Sequence, residues 1–204
     1  LAGASESGKS TLVDAQISLL YPTGTPYNKA SNSGRSERND YTYLRGMLGS
    51  SDGENGETPI YLRGRDDNDA PQAVWGAIVD TYLNRTTGAV LSCGKFLYLA
   101  SGDGRGEVRR QYIAWNRKID PRRMDRFRDT PFTATMLKKT YPECDSFLNA
   151  EAFHAYIWRE MGLSPEACRL LHKIQSADAP SRLDDIFKQG VLGVPEALEL
   201  ARAT

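Results

Sequence analysis

The sequence has no net charge, few cysteines and histidines, and no long apolar run. Among its 204 residues, 26 basic side chains balance 26 acidic ones, so overall charge indicates no polyanionic partner. The three cysteines are odd in number and lack metal-ligand spacing, and the two histidines have no ligand partner at such spacing, so we expect reduced thiols and no metal held by these residues. No stretch is apolar enough to cross a bilayer and no signal-peptide pattern is visible. These absences predict a cytoplasmic protein without membrane contact.

The chain opens with a phosphate-binding loop. Residues 3–10 read G-A-S-E-S-G-K-S, a complete G-x-x-x-x-G-K-[ST] pattern. Its glycines let the backbone curl so that N–H groups point at phosphate oxygens, Lys9 supplies a charge for the β- and γ-phosphates, and the Ser10 hydroxyl binds Mg²⁺. Apolar residues at near-helical spacing follow in 11–20, so a helix dipole adds to the anion site. The predicted nucleotide-binding residues are Gly3, Ala4, Ser5, Glu6, Ser7, Gly8, Lys9, Ser10 and Thr11. The alternative is a glycine turn before an ordinary helix.

The ends of the sequence indicate a fragment. Only two residues precede the loop, whereas such loops normally follow a buried strand. A predicted helix that begins at Val194 is interrupted by the end of the sequence. We therefore expect residues 1–204 to form a single P-loop lobe of a longer chain, with the first strand absent.

The middle of the chain predicts an antiparallel sheet. Three strand-like runs, 73–82, 90–100 and 108–115, are separated by short Gly- and Asn-containing turns that suit hairpins. Before them, residues 49–57 are rich in Gly, Ser and Asp, which is typical of a mobile loop. The sequence therefore predicts an α/β protein with an antiparallel β layer.

The last third predicts helices. Apolar residues recur at three- and four-residue steps, which predicts a core-facing helical stripe of Phe147, Ala150, Phe153, Ile157 and Met161. Ser164 followed by a proline predicts the start of another helix, with Leu170, Leu171 and Ile174 on its buried side and its end near residue 175. A short helix near residues 181–187 is predicted after the break at residues 179–180.

Several segments together resemble the SMC-like ATPases of the SbcC/MukB group, in particular the SMC-like subunit of Wadjet anti-plasmid systems (JetC). After the P-loop comes Asp-Ala four residues beyond Ser10, then Tyr-Asn-Lys-Ala at 27–30, then an arginine-rich run ending in Arg-Gly at 45–46. The resemblance continues through 61–63, 74–75, 96–98, 171–177 and 183–192, and so spans nearly the whole chain. Glu6 departs from the pattern, because relatives more often carry Gly or Asn there.

This resemblance implies the N-terminal lobe of an ABC/SMC-type head, with a helical C-terminal part. The signature motif and the Mg²⁺-binding Asp with its catalytic Glu would lie in a C-terminal lobe beyond a coiled coil. ATP would be held between two copies of the head, which would act on DNA with kleisin-type and accessory subunits, in a nucleoid-associated setting. Residues 1–204 contain no Ser-Gly-Gly-type signature and no apolar run ending in Asp-Glu. We therefore expect weak ATP binding and little turnover from this chain alone.

The resemblance also assigns roles outside the P-loop. Gln175 matches the glutamine that touches Mg²⁺ and the attacking water, so Lys9 and Gln175 are the predicted catalytic residues and Ser10 and Gln175 the metal ligands. A solvent-facing cap is the alternative for Gln175. Arg38, and with it Arg35 and Arg45, could reach phosphates; solvated loop arginines are the alternative.

Two further patterns leave alternatives open. Residues 105–128 contain nine basic and three acidic side chains, which suits contact with a DNA backbone or a strand edge guarded by charge. Four tyrosines are candidates for stacking on adenine or, more simply, for packing: Tyr27, Tyr41, Tyr43 and Tyr61.

Two other functions remain as alternatives to the ATPase head. One is a small nucleotide kinase, against which the antiparallel middle and the absence of lid arginines argue. The other is a scaffold or DNA-tethering domain in which bound nucleotide acts as a structural switch without hydrolysis.

Overall fold

The computed structural model describes residues 8–22, 25, 27, 38–53, 56–68, 70–101, 107–127, 130 and 132–175. The chain divides into two units: unit 1 comprises residues 1–32 and 158–204, and unit 2 comprises residues 33–157. The helices predicted after residue 175 lie outside the described residues. The described helices are α1 Lys9–Leu20, α2 Asp40–Arg45, α3 Ala134–Thr140, α4 Ala150–Met161 and α5 Pro165–Gln175, with a 3-10 helix at Pro121–Phe127. The strands are β1 Met47–Gly53, β2 Gly56–Tyr61, β3 Val74–Leu83, β4 Val90–Leu99, β5 Arg109–Trp115 and β6 Asp145–Phe147.

In unit 1, helix α1 packs against α5. Ile17, Tyr21 and Cys168 are buried together, and side chains around them, including Trp158, complete the cluster. Helix α1 ends at Leu20, directly before Tyr21 and Pro22, as the sequence predicts. Helix α5 begins at Pro165, and the Ser164 Oγ accepts a hydrogen bond from the Ala167 N–H at 3.2 Å. The predicted start of this helix is therefore confirmed.

A four-stranded antiparallel sheet in the order β3-β4-β5-β6 forms the centre of unit 2. Strand β3 pairs with β4 along its full length, from Val74 opposite Leu99 to Leu83 opposite Val90. The turn between them is closed by Asn84, whose Oδ1 accepts the N–H groups of the two threonines that follow at 3.0 and 3.1 Å. The three predicted strands and their antiparallel arrangement are confirmed.

Both faces of this sheet are covered. On one face, Leu44 of α2 packs in a cluster with Val74, Leu97, Leu99 and Val108. On the other face, Phe96 of β4 packs in a larger cluster with residues of the 3-10 helix, α3 and the segments next to them: Ile119, Met124, Phe132, Leu137 and Tyr141. Because neither face of β4 meets solvent, this strand is buried at almost every position.

The segment predicted as a mobile loop, residues 49–57, instead lies largely in a β-hairpin of strands β1 and β2. The hairpin is joined to α2 through Arg45, which stacks on Tyr61 at 4.7 Å and donates to the carbonyl of Arg63 at 2.8 Å. The prediction of a loop was wrong because it was based on composition, and composition does not show such long-range contacts. Helix α2 was not foreseen, although Asn39 and Thr42 form a reciprocal capping box at its start.

Two predictions about the last third also need correction. Phe147 lies in β6, not in a helix, and its ring contacts Phe153 of α4 at 5.5 Å. Leu171 is 40% exposed, while Cys168 occupies the buried side of α5. The apolar spacing was compatible with either face, and contact with α1 selects the face of Cys168. The predicted burial of Phe153 and Ile157 is correct.

Candidate functional site

The second half of the phosphate-binding loop leads straight into α1. Gly8 has φ 80° and ψ 10°, a left-handed conformation that glycine adopts readily and other residues rarely do. It occupies the N-cap position, where it supplies no side-chain hydrogen bond. The first hydrogen bond of the helix runs from the Leu12 N–H to the Gly8 carbonyl at 3.1 Å. Gly8 therefore offers no side-chain cap to the N–H groups of the first turn, and N–H groups at a helix start are an arrangement that binds anions.

Lys9, Ser10 and Thr11 form that first turn. Lys9 and Ser10 are half-buried and Thr11 is exposed. An ammonium and a hydroxyl beside uncapped backbone N–H groups fit the phosphates and the Mg²⁺ of a nucleotide, because the cation and the N–H groups suit the anion and the hydroxyl oxygen suits the metal. The predicted residues Gly3, Ala4, Ser5, Glu6 and Ser7 lie outside the described residues.

The far end of α1 is held by α5 and by Trp158. The Trp158 indole donates from Nε1 to the Leu20 carbonyl at 2.9 Å, which satisfies a carbonyl that the helix leaves without an internal partner. The Tyr21 ring lies 5.2 Å from the ring of His172, and burial raises the pKa of Tyr21 to about 12. These contacts hold the C-terminal end of α1 in place within unit 1, and so they orient the helix whose first turn carries the phosphate-binding N–H groups.

Gln175 closes α5, and its side chain lies outside the described residues. The described contacts of α5 with α1 involve Ile17 and the adjoining Tyr21, near the C-terminal end of α1. At 1.5 Å per residue, Ser10 lies roughly 16 Å along α1 from Tyr21. The described contacts therefore do not join Gln175 to Ser10, and the role of Gln175 stays a prediction.

Of the other predicted nucleotide contacts, Arg38 belongs to unit 2, where it stands immediately before the N-cap of α2 and is half-buried. The Arg45 side chain forms contacts within unit 2: it donates to the Arg63 carbonyl and contacts the hydroxyl of Tyr41 at 3.4 Å. Tyr41 and Tyr61 pack edge to face at 5.8 Å. The structure thus shows packing contacts for these two tyrosines, and their stacking on adenine stays a prediction. Arg35 lies outside the described residues.

Three arginines of the basic stretch 105–128 form ion pairs within unit 2. Arg110 donates to Asp40 at 2.7 Å, Arg122 binds Asp120 at 3.0 Å, and Arg123 binds both Glu143 and the Thr140 carbonyl. Among the described strands, β6 pairs with β5 only at residues 112–114, so the alternative of a charged strand edge at Arg109 and Arg110 stays a prediction. What the described structure shows for this stretch is three arginines in intramolecular ion pairs.

Sequence reasoning missed a buried ion pair. Lys95 is 2% exposed, and its Nζ donates to both carboxylate oxygens of Asp40, at 3.0 and 2.9 Å. Arg110 shares the same carboxylate. Burial lowers the pKa of Lys95 below its ordinary value, an effect that Asp40 opposes. This cluster ties the N-terminus of α2 to the middle of β4.

The remaining titratable groups point to packing. Cys93, Cys144 and Cys168 are free and buried, and burial raises the pKa of Cys93 to about 12 and that of Cys144 to about 11.

In the described part of the chain no group of His, Cys, Asp and Glu is placed to hold a metal ion. None of the described helices has the length and apolar character that a membrane span requires.

Comparison with known protein families adds one match. Residues 1–34 match the family described as the P-loop containing region of AAA domain. The match covers 34 of 204 residues, so it identifies a P-loop NTPase region and not the family of the whole chain. Comparison with curated proteins gives no match. The chain therefore carries a P-loop NTPase region, with α1 as its helix, joined to antiparallel β-structure.

Proposed function

We propose that this chain is the ATP-binding N-terminal lobe of an SMC-like ATPase head. One observation carries the proposal: a complete phosphate-binding loop, matched as a P-loop region, runs through left-handed Gly8 directly into the uncapped first turn of α1. Backbone N–H groups, a lysine and a hydroxyl then lie together at a helix start. These are the groups that bind the phosphates and the Mg²⁺ of a nucleoside triphosphate.

In this proposal each residue of the first turn has a distinct task. Lys9 binds the β- and γ-phosphates and Ser10 binds Mg²⁺, which neutralises negative charge on the phosphate oxygens. The N–H groups of residues 8–11 orient the phosphates along the axis of α1. Gln175 would reach the γ-phosphate only if the end of α5 approaches the nucleotide in the assembled head.

The finer part of the proposal follows the sequence resemblance. The head would hold ATP between two copies and act on DNA with kleisin-type and accessory subunits, and the longer protein would hydrolyse ATP. The order of a P-loop helix, an antiparallel sheet and C-terminal helices supports this assignment. The action on DNA rests on the resemblance, because Arg110, Arg122 and Arg123 are engaged in ion pairs.

Binding of ATP to single-residue variants tests the central part. We expect Lys9→Ala and Ser10→Ala to weaken Mg²⁺-dependent binding of a fluorescent ATP analogue by about tenfold or more, since each removes a charged or metal-mediated phosphate contact. The matched control is Lys139→Ala, which removes an exposed lysine of α3. Unchanged affinity in Lys9→Ala would contradict the P-loop assignment itself.

A turnover measurement separates the head from a nucleotide switch. We expect no ATP hydrolysis by this chain until a C-terminal lobe carrying the signature motif is added, because water positioning and Mg²⁺ binding need further residues. Continued inactivity with the complementary lobe would favour the switch.

A further inference from the structure

The second half of strand β3 presents backbone hydrogen-bonding groups on the outer side of its sheet. Of the described strands, only β4 pairs with β3, so β3 is an end strand. The Asn84 N–H donates to the Ala89 carbonyl at 2.8 Å, across the turn that follows β3, so Asn84 faces β4. Because these directions alternate along an antiparallel pair, the N–H and C=O groups of Val79, Thr81 and Leu83 point away from β4. We call these outward groups the β3 edge.

The other end strands of the described sheets have features that oppose pairing with a further strand. Strand β1 has an irregular register, β2 contains Pro59, and β6 has only three residues. At the start of β3, an Arg63 nitrogen donates to the Trp75 carbonyl at 2.7 Å and so occupies that part of the strand. Residues 78–83 contain no proline, glycine or basic side chain, and their register with β4 is regular. The β3 edge is therefore a template for one more strand.

The side chains beside this edge include one exposed apolar group and one charge. Leu83 is 60% exposed, Thr81 is exposed and Val79 is half-buried. Asp80 is the only charged residue of β3, and its carboxylate accepts a hydrogen bond from the Tyr82 hydroxyl at 3.2 Å. A strand that fits this edge covers Leu83 and places no second carboxylate directly opposite Asp80.

A second copy of the chain meets both conditions in one register. Antiparallel pairing about a two-fold axis at Thr81 places the Thr81 residues of the two copies opposite each other and Val79 of each copy opposite Leu83 of the other. The outward groups then exchange about six hydrogen bonds, and Val79 covers the exposed Leu83. Asp80 of each copy lies opposite Tyr82 of the other, so the two carboxylates are not directly opposed.

The neighbouring registers meet these conditions less well. A two-fold axis at Val79 brings Leu83 of one copy against Trp75 of the other, where the carbonyl already has a partner within its own chain. An axis at Asp80 sets two carboxylates directly opposite each other, which destabilises a strand pair. An axis beyond Thr81 shortens the paired stretch, because β3 ends at Leu83.

We propose that this chain self-associates through the β3 edge, with the two-fold axis at Thr81, so that the sheets of two copies form one continuous antiparallel sheet. An unrelated strand needs the same features from a separate sequence, whereas a second copy supplies them itself. The residues of this contact all belong to unit 2. The contact therefore forms without nucleotide and differs from a pair of heads that holds ATP between its copies.

Sedimentation velocity of the full 204-residue chain without nucleotide tests the proposal. Because the paired stretch is short, we expect a weak dimer with a Kd of about 10–100 µM, measured from about 1 to about 500 µM protein. Leu83→Lys should weaken the dimer by about tenfold, since a charge replaces the leucine that Val79 covers. The matched control is Leu148→Lys, which changes a fully exposed leucine of unit 2 outside β3 and should leave the Kd within about twofold.

A second readout reports strand pairing itself. Hydrogen exchange at the Val79, Thr81 and Leu83 amides should slow as protein concentration rises, because these N–H groups become hydrogen-bonded in the dimer. Thr81→Pro removes the central outward N–H while sparing the pairing with β4, so it should abolish the dimer. Circular dichroism checks that this variant folds, and Leu83→Lys decides the question if it does not.

Three results would overturn the proposal: a monomer at about 500 µM, equal weakening in Leu148→Lys, or no concentration-dependent protection of the three amides. A dimer that forms only with Mg²⁺ and ATP would also overturn it, because self-association would then belong to the nucleotide site. Loss of ATP binding in Lys9→Ala, by contrast, bears only on the proposed function.

Discussion

The two units differ in how much apolar core the structure gives them. The described residues of unit 2 form two buried clusters, of nine and five residues, on opposite faces of one sheet. In the described part of unit 1, a single cluster buries Ile17, Tyr21 and Cys168. Among the described residues, the recognisable chemical motif therefore lies in the unit with the smaller buried cluster, whereas the larger clusters carry no sequence motif. A nucleotide bound at the start of α1 would stabilise unit 1, because a ligand that binds the folded state adds its free energy to stability.

The largest expected effect is the loss of a core ring in unit 2. Phe96 is fully buried and contacts the rings of Phe132 and Tyr141. Phe96→Ala should lower the stability measured by hydrogen exchange of β4 amides by about 3–5 kcal/mol, because it leaves a cavity. Leu12→Ala in α1, where the side chain is 57% exposed, should change stability by less than about 0.5 kcal/mol. Similar losses in both variants would contradict the difference in burial between Phe96 and Leu12.

The next effect concerns the buried ion pair. Asp40→Ala should destabilise unit 2 by about 3 kcal/mol, because Lys95 is left buried without its carboxylate. The double variant Asp40→Ala/Lys95→Met should recover most of this loss, since methionine fills a similar volume without a charge. Urea unfolding followed by circular dichroism measures both. A double variant as unstable as Asp40→Ala alone would show that the loss comes from packing of α2.

A smaller effect should appear at alkaline pH. Burial holds the pKa of Cys93 at about 12, above the ordinary value of 9.0, so between these values the unfolded chain binds fewer protons and stability falls as pH rises. From pH 8 to pH 10 the chain should lose about 1.4 kcal/mol more than Cys93→Ala does. Urea unfolding at the two pH values provides the comparison. Equal losses in both proteins would contradict a protonated, buried thiol.

The smallest effect is in unit 1. Trp158→Phe removes the hydrogen bond to the Leu20 carbonyl and should cost about 0.5–1.5 kcal/mol, seen in hydrogen exchange of α1 amides. Exchange of β4 amides serves as the internal control. A larger change in β4 than in α1 would contradict the conclusion that the Trp158 hydrogen bond stabilises unit 1.

Local patterns predicted the elements whose signals are local. The alternation in β4, the turn at Asn84 and the proline after α1 each determine structure within a few residues. Sequence patterns could not predict the β1–β2 hairpin, because the contacts that join it to α2, such as the one between Arg45 and Arg63, link residues far apart in the sequence. It also could not predict that Lys95 is buried, since alternation places a lysine in solvent unless both faces of the strand are covered.

The candidate site shows the same division. The P-loop pattern identified Lys9 and Ser10, and the structure adds the left-handed Gly8 and the uncapped helix start. The roles of Gln175 and Arg38 depended on resemblance, and both stay predictions.

The most direct test of the account is hydrogen exchange of the whole chain with and without Mg²⁺ and ATP. We predict slower exchange at the N–H groups of Lys9, Ser10 and Thr11, with β4 amides unchanged and with no protection in Lys9→Ala. Protection that is absent from α1, or that appears in the sheet of unit 2 instead, would contradict the conclusion that the start of α1 binds the nucleotide.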